Sequence, residues 1–162
     1  MKSEPPTTDH QRSVLKTYTQ MMRAADAVTT RMHRHLADHR LTLSQFGVLE
    51  ALYHKGALCQ RDIGQKILKT SGNMTTVIDN LEKRKLVVRE KDLADRRRIT
   101  VKLTQAGFAL INTIFPAHAE IAEQAFAVMD AGELLALGTL LKKVGKANAD
   151  AAAAAAVGGR IP

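Results

Sequence analysis

The spacing of apolar residues changes in the middle of the chain. From Met74 to Leu81 the apolar residues recur at helical spacing, so this segment predicts a helix with one buried face. Val87 and Val88 begin an extended run. From Ile99 to Thr104, apolar and polar residues alternate, which is the spacing of a strand. The pattern predicts a helix followed by a two-stranded hairpin with a charged tip.

Long apolar stripes flank this central segment. The first predicted helix runs from about Gln11 to His39, and its stripe steps by fours and threes through Val14, Tyr18, Met21, Ala25, Val28 and Met32. Such a seam is longer than a small domain needs, so we interpret it as a subunit interface. A long core helix in a monomer would give the same pattern.

Capping residues predict the ends of the other helices. Thr42 or Ser44 can begin a second helix that ends near Gly56, and a third runs from Gln60 to about Leu68. Thr104 is placed to cap a fifth helix, and Asp130 a last one, where it resembles a capping box.

These elements predict a mainly α fold with a small β-hairpin wing, that is, a winged helix-turn-helix plus a helical dimerisation layer. We expect a disordered N-terminus over residues 1–10 and a single domain over residues 11–149. Within that domain the winged helix-turn-helix covers about 42–104, and the dimerisation helices cover about 11–39 and 104–149. The alanine-rich residues 150–162 are expected to be a frayed tail.

Positive charge is concentrated in the predicted winged segment. Of the 162 residues, positions 51–104 hold 13 Lys and Arg against 6 Asp and Glu, while the whole chain has a net charge of +8. Because the excess coincides with a helix that fits a DNA major groove, it indicates a nucleic-acid partner. A solvated basic surface without a partner is the alternative.

Other features exclude several classes of protein. No apolar run is long enough to span a membrane and no signal segment begins the chain, so we expect a cytoplasmic protein without a membrane partner. No nucleophile elbow, phosphate loop or set of zinc ligands is evident. We therefore expect no enzyme activity, no cofactor and no metal.

A histidine pair and the single cysteine each have a functional and a structural interpretation. His35 and His39 lie one helical turn apart and could share a metal, although a solvated helix end explains them as well. Cys59, the only cysteine, lies beside a helix start and near Arg61, so it could be a redox switch. A half-buried structural cysteine is the plainer interpretation.

Three stretches of sequence carry a family resemblance. The segments LTLSQFGVLEAL, SGNMTTVIDNLEKRKLV and DRRRITVKLTQAG resemble the MarR family of bacterial winged-helix regulators, over about Leu41 to Met129. The resemblance implies a homodimeric repressor that binds palindromic promoter DNA. It also implies release by a small phenolic or lipophilic effector, or by cysteine oxidation. A sequence-tolerant architectural DNA-binding protein is the alternative.

The resemblance also implies functional residues. In the wing, Arg97 enters the minor groove and Asp95 orients it. With the predicted recognition helix and its neighbours, the expected DNA-binding residues are Arg61, Thr70, Ser71, Asn73, Thr75, Thr76, Asn80, Lys83, Arg84, Asp95, Arg96, Arg97 and Arg98. The expected effector pocket contains Met22, His39, Phe46 and Tyr53.

The chain departs from the family pattern at two positions. Cys59 stands where the family commonly has Ser or Thr, so the third helix is expected to lack a good cap. Lys85 stands where the family favours Gly, so either the turn is strained or the helix ends differently.

Overall fold

The structure, a computed structural model, describes residues 7–67, 71–91 and 99–158, without the side chains of residues 71–73 and 152–158. Six helices and three short strands make up this part of the chain, which confirms the predicted mainly α fold with a small wing. In chain order the elements are α1 (Asp9–Asp38), α2 (Leu43–Lys55), β1 (Leu58–Cys59), α3 (Gln60–Lys66), α4 (Ser71–Lys83), β2 (Val87–Lys91), β3 (Ile99–Leu103), α5 (Gln105–Phe126) and α6 (Ala131–Gly158).

The wing is part of a three-stranded antiparallel sheet rather than an isolated hairpin. β3 lies in the centre and pairs with β2 on one side and with β1 on the other. The sequence pattern predicted no strand between the second and third helices. Leu58 and Cys59 are too short a run to show a period, and they become a strand because Leu58 pairs with Val101.

Local capping sets the helix starts. Thr42 begins α2 by accepting a hydrogen bond from the Gln45 backbone, while the Gln45 side chain accepts one from Thr42. Asp130 and Glu133 form the same reciprocal box at α6. Thr8 and Gln11 also form one, so α1 begins at Asp9 and the predicted N-terminal lead-in is two residues shorter than expected.

The core lies between the helix-turn-helix and the first turns of α5. Buried apolar side chains from α1 to α5 and the sheet form one cluster, and Phe46 is its largest member. Its other fully buried large members are Leu36, Leu49, Ile63, Met74, Ile78, Leu81, Ile111, Ile114, Val48, Val87 and Val101. Burial of these side chains is the main term that holds the DNA-binding module together.

A close backbone approach joins the end of α4 to the start of α5. Lys85 has a φ of 57°, so the turn takes the strained left-handed form, which was one of the two alternatives for this position. The Thr104 hydroxyl donates to the Lys85 carbonyl at 2.7 Å and accepts from the Gly107 N–H at 3.0 Å. Thr104 therefore caps α5, as predicted, and also closes the preceding turn.

The contacts divide the chain into two compact units, Met1–Ala122 and Glu123–Pro162. The first unit contains the sheet and helices α1 to α4. The second contains the end of α5 and all of α6, which continues past residue 149 through the alanine-rich segment to Gly158, because alanine is the strongest helix former. Several large apolar side chains of α6 are exposed in this unit, namely Leu134, Leu135, Leu140, Leu141 and Val144.

Candidate nucleic-acid interface

The helix-turn-helix consists of α3 and α4. Met74, Ile78 and Leu81 of α4 are fully buried, and Ile63 of α3 packs in the same cluster. The α4 residues on the other side that the sequence assigned to DNA are exposed, namely Thr75, Thr76, Asn80 and Lys83. The apolar face anchors the helix, so short polar groups and one ammonium face outward at groove-reading spacing.

A hydrogen bond links the two helices at their outer edge. The Gln60 side-chain amide donates to the Thr75 hydroxyl at 2.7 Å. Arg61, also predicted to contact DNA, is exposed in the first turn of α3. Cys59 caps α3 without a side-chain hydrogen bond, as expected, and its thiol is free and half-buried.

Arg84, which the sequence assigned to DNA, directly follows α4 and contacts the turn after α1. Its guanidinium donates to the Arg40 carbonyl at 2.6 Å and to the His39 carbonyl at 3.2 Å, both at the C-terminal end of α1. The last carbonyls of a helix have no partner within the helix and carry partial negative charge, so they attract a cation. Arg84 is thus engaged with protein backbone in this structure, and its assignment as a DNA contact stays a prediction.

A second arginine, which the sequence interpretation missed, ties the wing to α4. From β2, Arg89 donates to Glu82 at 2.5 Å and to Asp79 at 2.6 Å, and its own backbone N–H donates to Glu82 at 3.0 Å. Burial disfavours its charge, but the hydrogen bonds to Asp79 and Glu82 outweigh that cost and raise the pKa of Arg89. The wing and the recognition helix therefore form one electrostatically braced body.

The remaining predicted DNA contacts lie outside the described residues. These are Thr70, the side chains of Ser71 and Asn73, and the four wing-tip residues Asp95, Arg96, Arg97 and Arg98. The strands that lead to the tip are described. The register pairs Lys91 with Ile99, and Lys102 forms an ion pair with Glu90 at 2.7 Å.

A cleft of about 560 Å³ opens beside the recognition module. We call it the central cleft; it is lined by Thr29 and His33 of α1, by Thr42, Leu43, Ser44, Phe46, Gly47 and Glu50 at α2, by Lys66 and Ile67 at α3, and by His118 of α5. Its volume is within the range of small-molecule sites, and it combines an apolar floor with a few polar groups.

His118 is the most unusual group of the central cleft. Its ring lies 4.0 Å from the Phe46 ring and 6.0 Å from the His35 ring, centroid to centroid. Its Nδ1 is buried and has no hydrogen-bond partner within the described part of the chain. Burial, and then the charge of His35, lower the pKa of His118, so the neutral ring can offer this nitrogen to a ligand.

The structure does not bring the four predicted effector residues together. Phe46 lines the central cleft, but Tyr53 lies two helical turns further along α2, about 10 Å away by helical rise. There its hydroxyl donates to Asn112 at 3.0 Å. Met22 is 49% exposed on α1, and the ring of His39 lies 5.4 Å from that of His35, outside the residues that line the central cleft. In the sequence, the one sign that His118 could be functional is its position in the otherwise apolar stripe of α5.

The described residues contain neither a metal-binding cluster nor a single helix that could span a membrane. No group of three or more His, Cys, Asp or Glu side chains is arranged to hold a metal ion among residues 7–67, 71–91 and 99–158. Within the same ranges, no single helix is long and apolar enough to cross a membrane. The segments Gln105–Phe126 and Ala131–Ala151 pass a test of length and composition only when they are taken together.

The fold and its outward polar helix define a winged helix-turn-helix DNA-binding protein. The model of the MarR family matches residues 41–99. The transcriptional regulator MhqR of Bacillus subtilis is 37% identical over 131 residues, which cover 81% of this chain and 90% of that protein. The chain belongs to the MarR family of transcriptional regulators, as the resemblance indicated, and this is not a family of enzymes.

Two other known proteins are similar over most of the chain. The transcriptional repressor NicR of Pseudomonas putida is 30% identical over 116 residues, covering 72% of this chain and 73% of NicR. The structure of BpsR from Bordetella bronchiseptica superposes with a TM-score of 0.72 at 30% identity, covering 80% of this chain and 98% of BpsR. Regulation of DNA binding by 6-hydroxynicotinic acid is described for BpsR.

Proposed function

We propose that this regulator is a homodimeric repressor of a palindromic promoter site, released by a small aromatic acid bound in the central cleft. The observation that carries the first half is the outward face of α4, where Thr76, Asn80 and Lys83 are exposed over a buried anchor of Met74 and Ile78. The similarity to NicR, a repressor, supports the direction of regulation.

Dimer formation is supported by apolar surface in each unit. On α1 the N-terminal half of the predicted seam is exposed, with Val14 at 52% and Tyr18 at 57%. On α6, Leu141 is 45% exposed. Leu141→Asp should place a charge on such a seam and shift sedimentation from dimer to monomer. An unchanged dimer would remove α6 from the proposed interface.

The effector class follows from the lining of the central cleft. Phe46 and Ile67 offer apolar contact to a planar ring, while Lys66 and His33 can face a carboxylate. The partnerless Nδ1 of His118 can meet a ring hydroxyl or ring N–H. BpsR, which resembles this chain, responds to 6-hydroxynicotinic acid, a ligand with these features.

The effector can be tested with that acid as a probe. Operator duplex, selected from genomic DNA fragments, should be released by 6-hydroxynicotinic acid in a fluorescence anisotropy titration. Lys66→Gln should weaken this response by up to about fivefold, since Lys66 is exposed and an ion pair at an exposed site is worth about 0.2–1 kcal/mol. Lys55→Gln, on the exposed end of α2, is the matched control. No response from the wild type, or equal effects of both variants, would refute this ligand class.

The DNA contacts remain predictions for the residues assigned from the sequence. Arg97→Ala should weaken operator binding by about 1–3 kcal/mol, because an arginine in a narrow minor groove gains from its concentrated negative potential. Titrations at several salt concentrations measure this, with Arg160→Ala as the control. Wild-type binding by Arg97→Ala would remove the wing from the site. Equal affinity of the wild type for operator and random DNA would favour an architectural role.

A further inference from the structure

We propose that Arg84 is a positioning residue that fixes the recognition helix to the end of α1 and thereby sets the half-site spacing. The inference rests on the proposed homodimer and its palindromic site, but not on the proposed effector. We call Arg84 with the His39 and Arg40 carbonyls the carbonyl clamp.

The geometry of the clamp restricts orientation as well as distance. One planar guanidinium uses two of its nitrogens, Nη1 on Arg40 and Nη2 on His39. A planar guanidinium that donates to two fixed carbonyls has one orientation, whereas a single hydrogen bond would leave the side chain free to rotate. Arg40 itself has a φ of 53°, which turns the chain sharply after α1 and presents these adjacent carbonyls to the same group.

The clamp joins parts of the chain with different functions. Arg84 directly follows α4, whose 13 residues make it about 20 Å long by helical rise. The carbonyls lie in the turn directly after α1, the helix that carries the exposed apolar seam proposed for the dimer. A rotation of α4 by only about 6° about the clamp would move its far end by about 2 Å. Such a shift is enough to misplace base contacts.

The two arginines near α4 therefore have separate roles. Arg89 braces α4 against the wing through Asp79 and Glu82, so helix and wing move as one body. Arg84 connects that body to α1. Loss of the clamp should leave the DNA-reading surface intact but allow its position in the dimer to vary.

Two histidines extend the clamp toward the central cleft. The ring of His39 lies 5.4 Å from that of His35, edge to face, and His35 lies 6.0 Å from His118 in the cleft wall. The His35 Nε2 is also 3.4 Å from the Ile114 carbonyl of α5. A change in the cleft wall can thus reach the carbonyls that Arg84 holds through packed side chains.

A phosphate contact is the competing role for Arg84, and salt dependence separates the two. Each phosphate contact adds about 0.9 to the slope of log affinity against log salt. If Arg84 contacts phosphate, Arg84→Gln should lower the slope and weaken operator and random DNA alike. Arg84→Lys should then bind nearly as well as the wild type. For a positioning residue, both variants should lose at least fivefold on the operator, while random-DNA binding and the salt slope stay unchanged.

The decisive measurement is the preference for half-site spacing. The probes are the selected operator and two duplexes with one base pair added or removed between its half-sites. The ratio of wild-type affinities for native and altered spacing should fall by threefold or more in both Arg84 variants. Urea midpoints and sedimentation verify that the variants fold and dimerise.

Lys83→Gln is the matched control, because it removes the same charge one residue away from an exposed side chain. Because Lys83 is a predicted DNA contact, its replacement should lower the affinity for every spacing alike. This control should keep the wild-type spacing ratio. An unchanged ratio in both Arg84 variants, an equal change in Lys83→Gln, or a reduced salt slope in Arg84→Gln alone would overturn the proposal.

Discussion

Replacing Gly107 with alanine tests the close backbone approach between the start of α5 and the turn after α4. A Cβ built on Gly107 would lie 1.9 Å from the Leu86 carbonyl oxygen, 2.9 Å from the carbonyl carbon and 3.3 Å from a Leu103 methyl. The first distance is more than 1 Å inside any tolerated contact. Because the obstructing atom is backbone, no side-chain rotation can relieve the clash.

The expected loss of unfolding free energy follows from the backbone at Lys85 and Leu86, which must move to admit the new Cβ. The Leu86 carbonyl accepts the Thr104 N–H at 3.1 Å, and the neighbouring Lys85 carbonyl accepts the Thr104 hydroxyl at 2.7 Å. Shifting this segment by more than 1 Å breaks both hydrogen bonds, each worth about 0.5–1.5 kcal/mol. Overpacking adds about 1–3 kcal/mol. The better helix propensity of alanine offsets roughly 1 kcal/mol of this, so the net loss of unfolding free energy should be about 1–5 kcal/mol.

Urea denaturation followed by circular dichroism, at one fixed protein concentration, measures this loss. Gly138→Ala is the matched control, since no atom lies within 4 Å of its Cβ position in α6. That variant should gain up to about 1 kcal/mol. A Gly107→Ala midpoint equal to or above that of the wild type would refute the packing at this junction.

Three other substitutions test separate features. Arg89→Met should cost about 1–2 kcal/mol of unfolding free energy, because the half-exposed carboxylates of Asp79 and Glu82 lose their shared cation; an unchanged urea midpoint would contradict this. His118→Phe should flatten the pH dependence of stability. The pKa of His118 is lowered in the folded protein, so below about pH 6.5 the unfolded chain binds more protons and wild-type stability falls until the folded pKa is passed. Parallel stability curves for the two proteins between pH 7.5 and 5 would contradict it. Cys59→Ser should raise the unfolding free energy by about 0.5–1 kcal/mol by supplying the missing cap of α3, and an unchanged or lower melting temperature would contradict that.

The sequence by itself determined the local elements of this protein. Apolar period and capping chemistry act within a few residues, so they located α4 by Met74 and Ile78 and the starts of α2 and α6 by Thr42 and Asp130. The outward polar face of α4 follows from the same helical period. The family match agrees with what these local patterns indicated.

The strand β1, by contrast, was decided by tertiary structure. Leu58 and Cys59 carry no pattern of their own, and they form a strand only because β3, about 40 residues later, offers a free edge. The two-residue segment is therefore a strand by virtue of its partner, and no reading of local spacing could have assigned it.

Tertiary structure also decided the roles of the charged and polar side chains. Arg84 meets carbonyls 44 and 45 residues away, and the ring of His118 stacks on Phe46 across the fold. Spacing along the chain encodes which face of a helix is polar, but not which distant backbone or ring that face meets. For this reason the sequence located the DNA-reading helix, whereas the clamp on Arg84 and the wall of the central cleft emerged only from the packed chain.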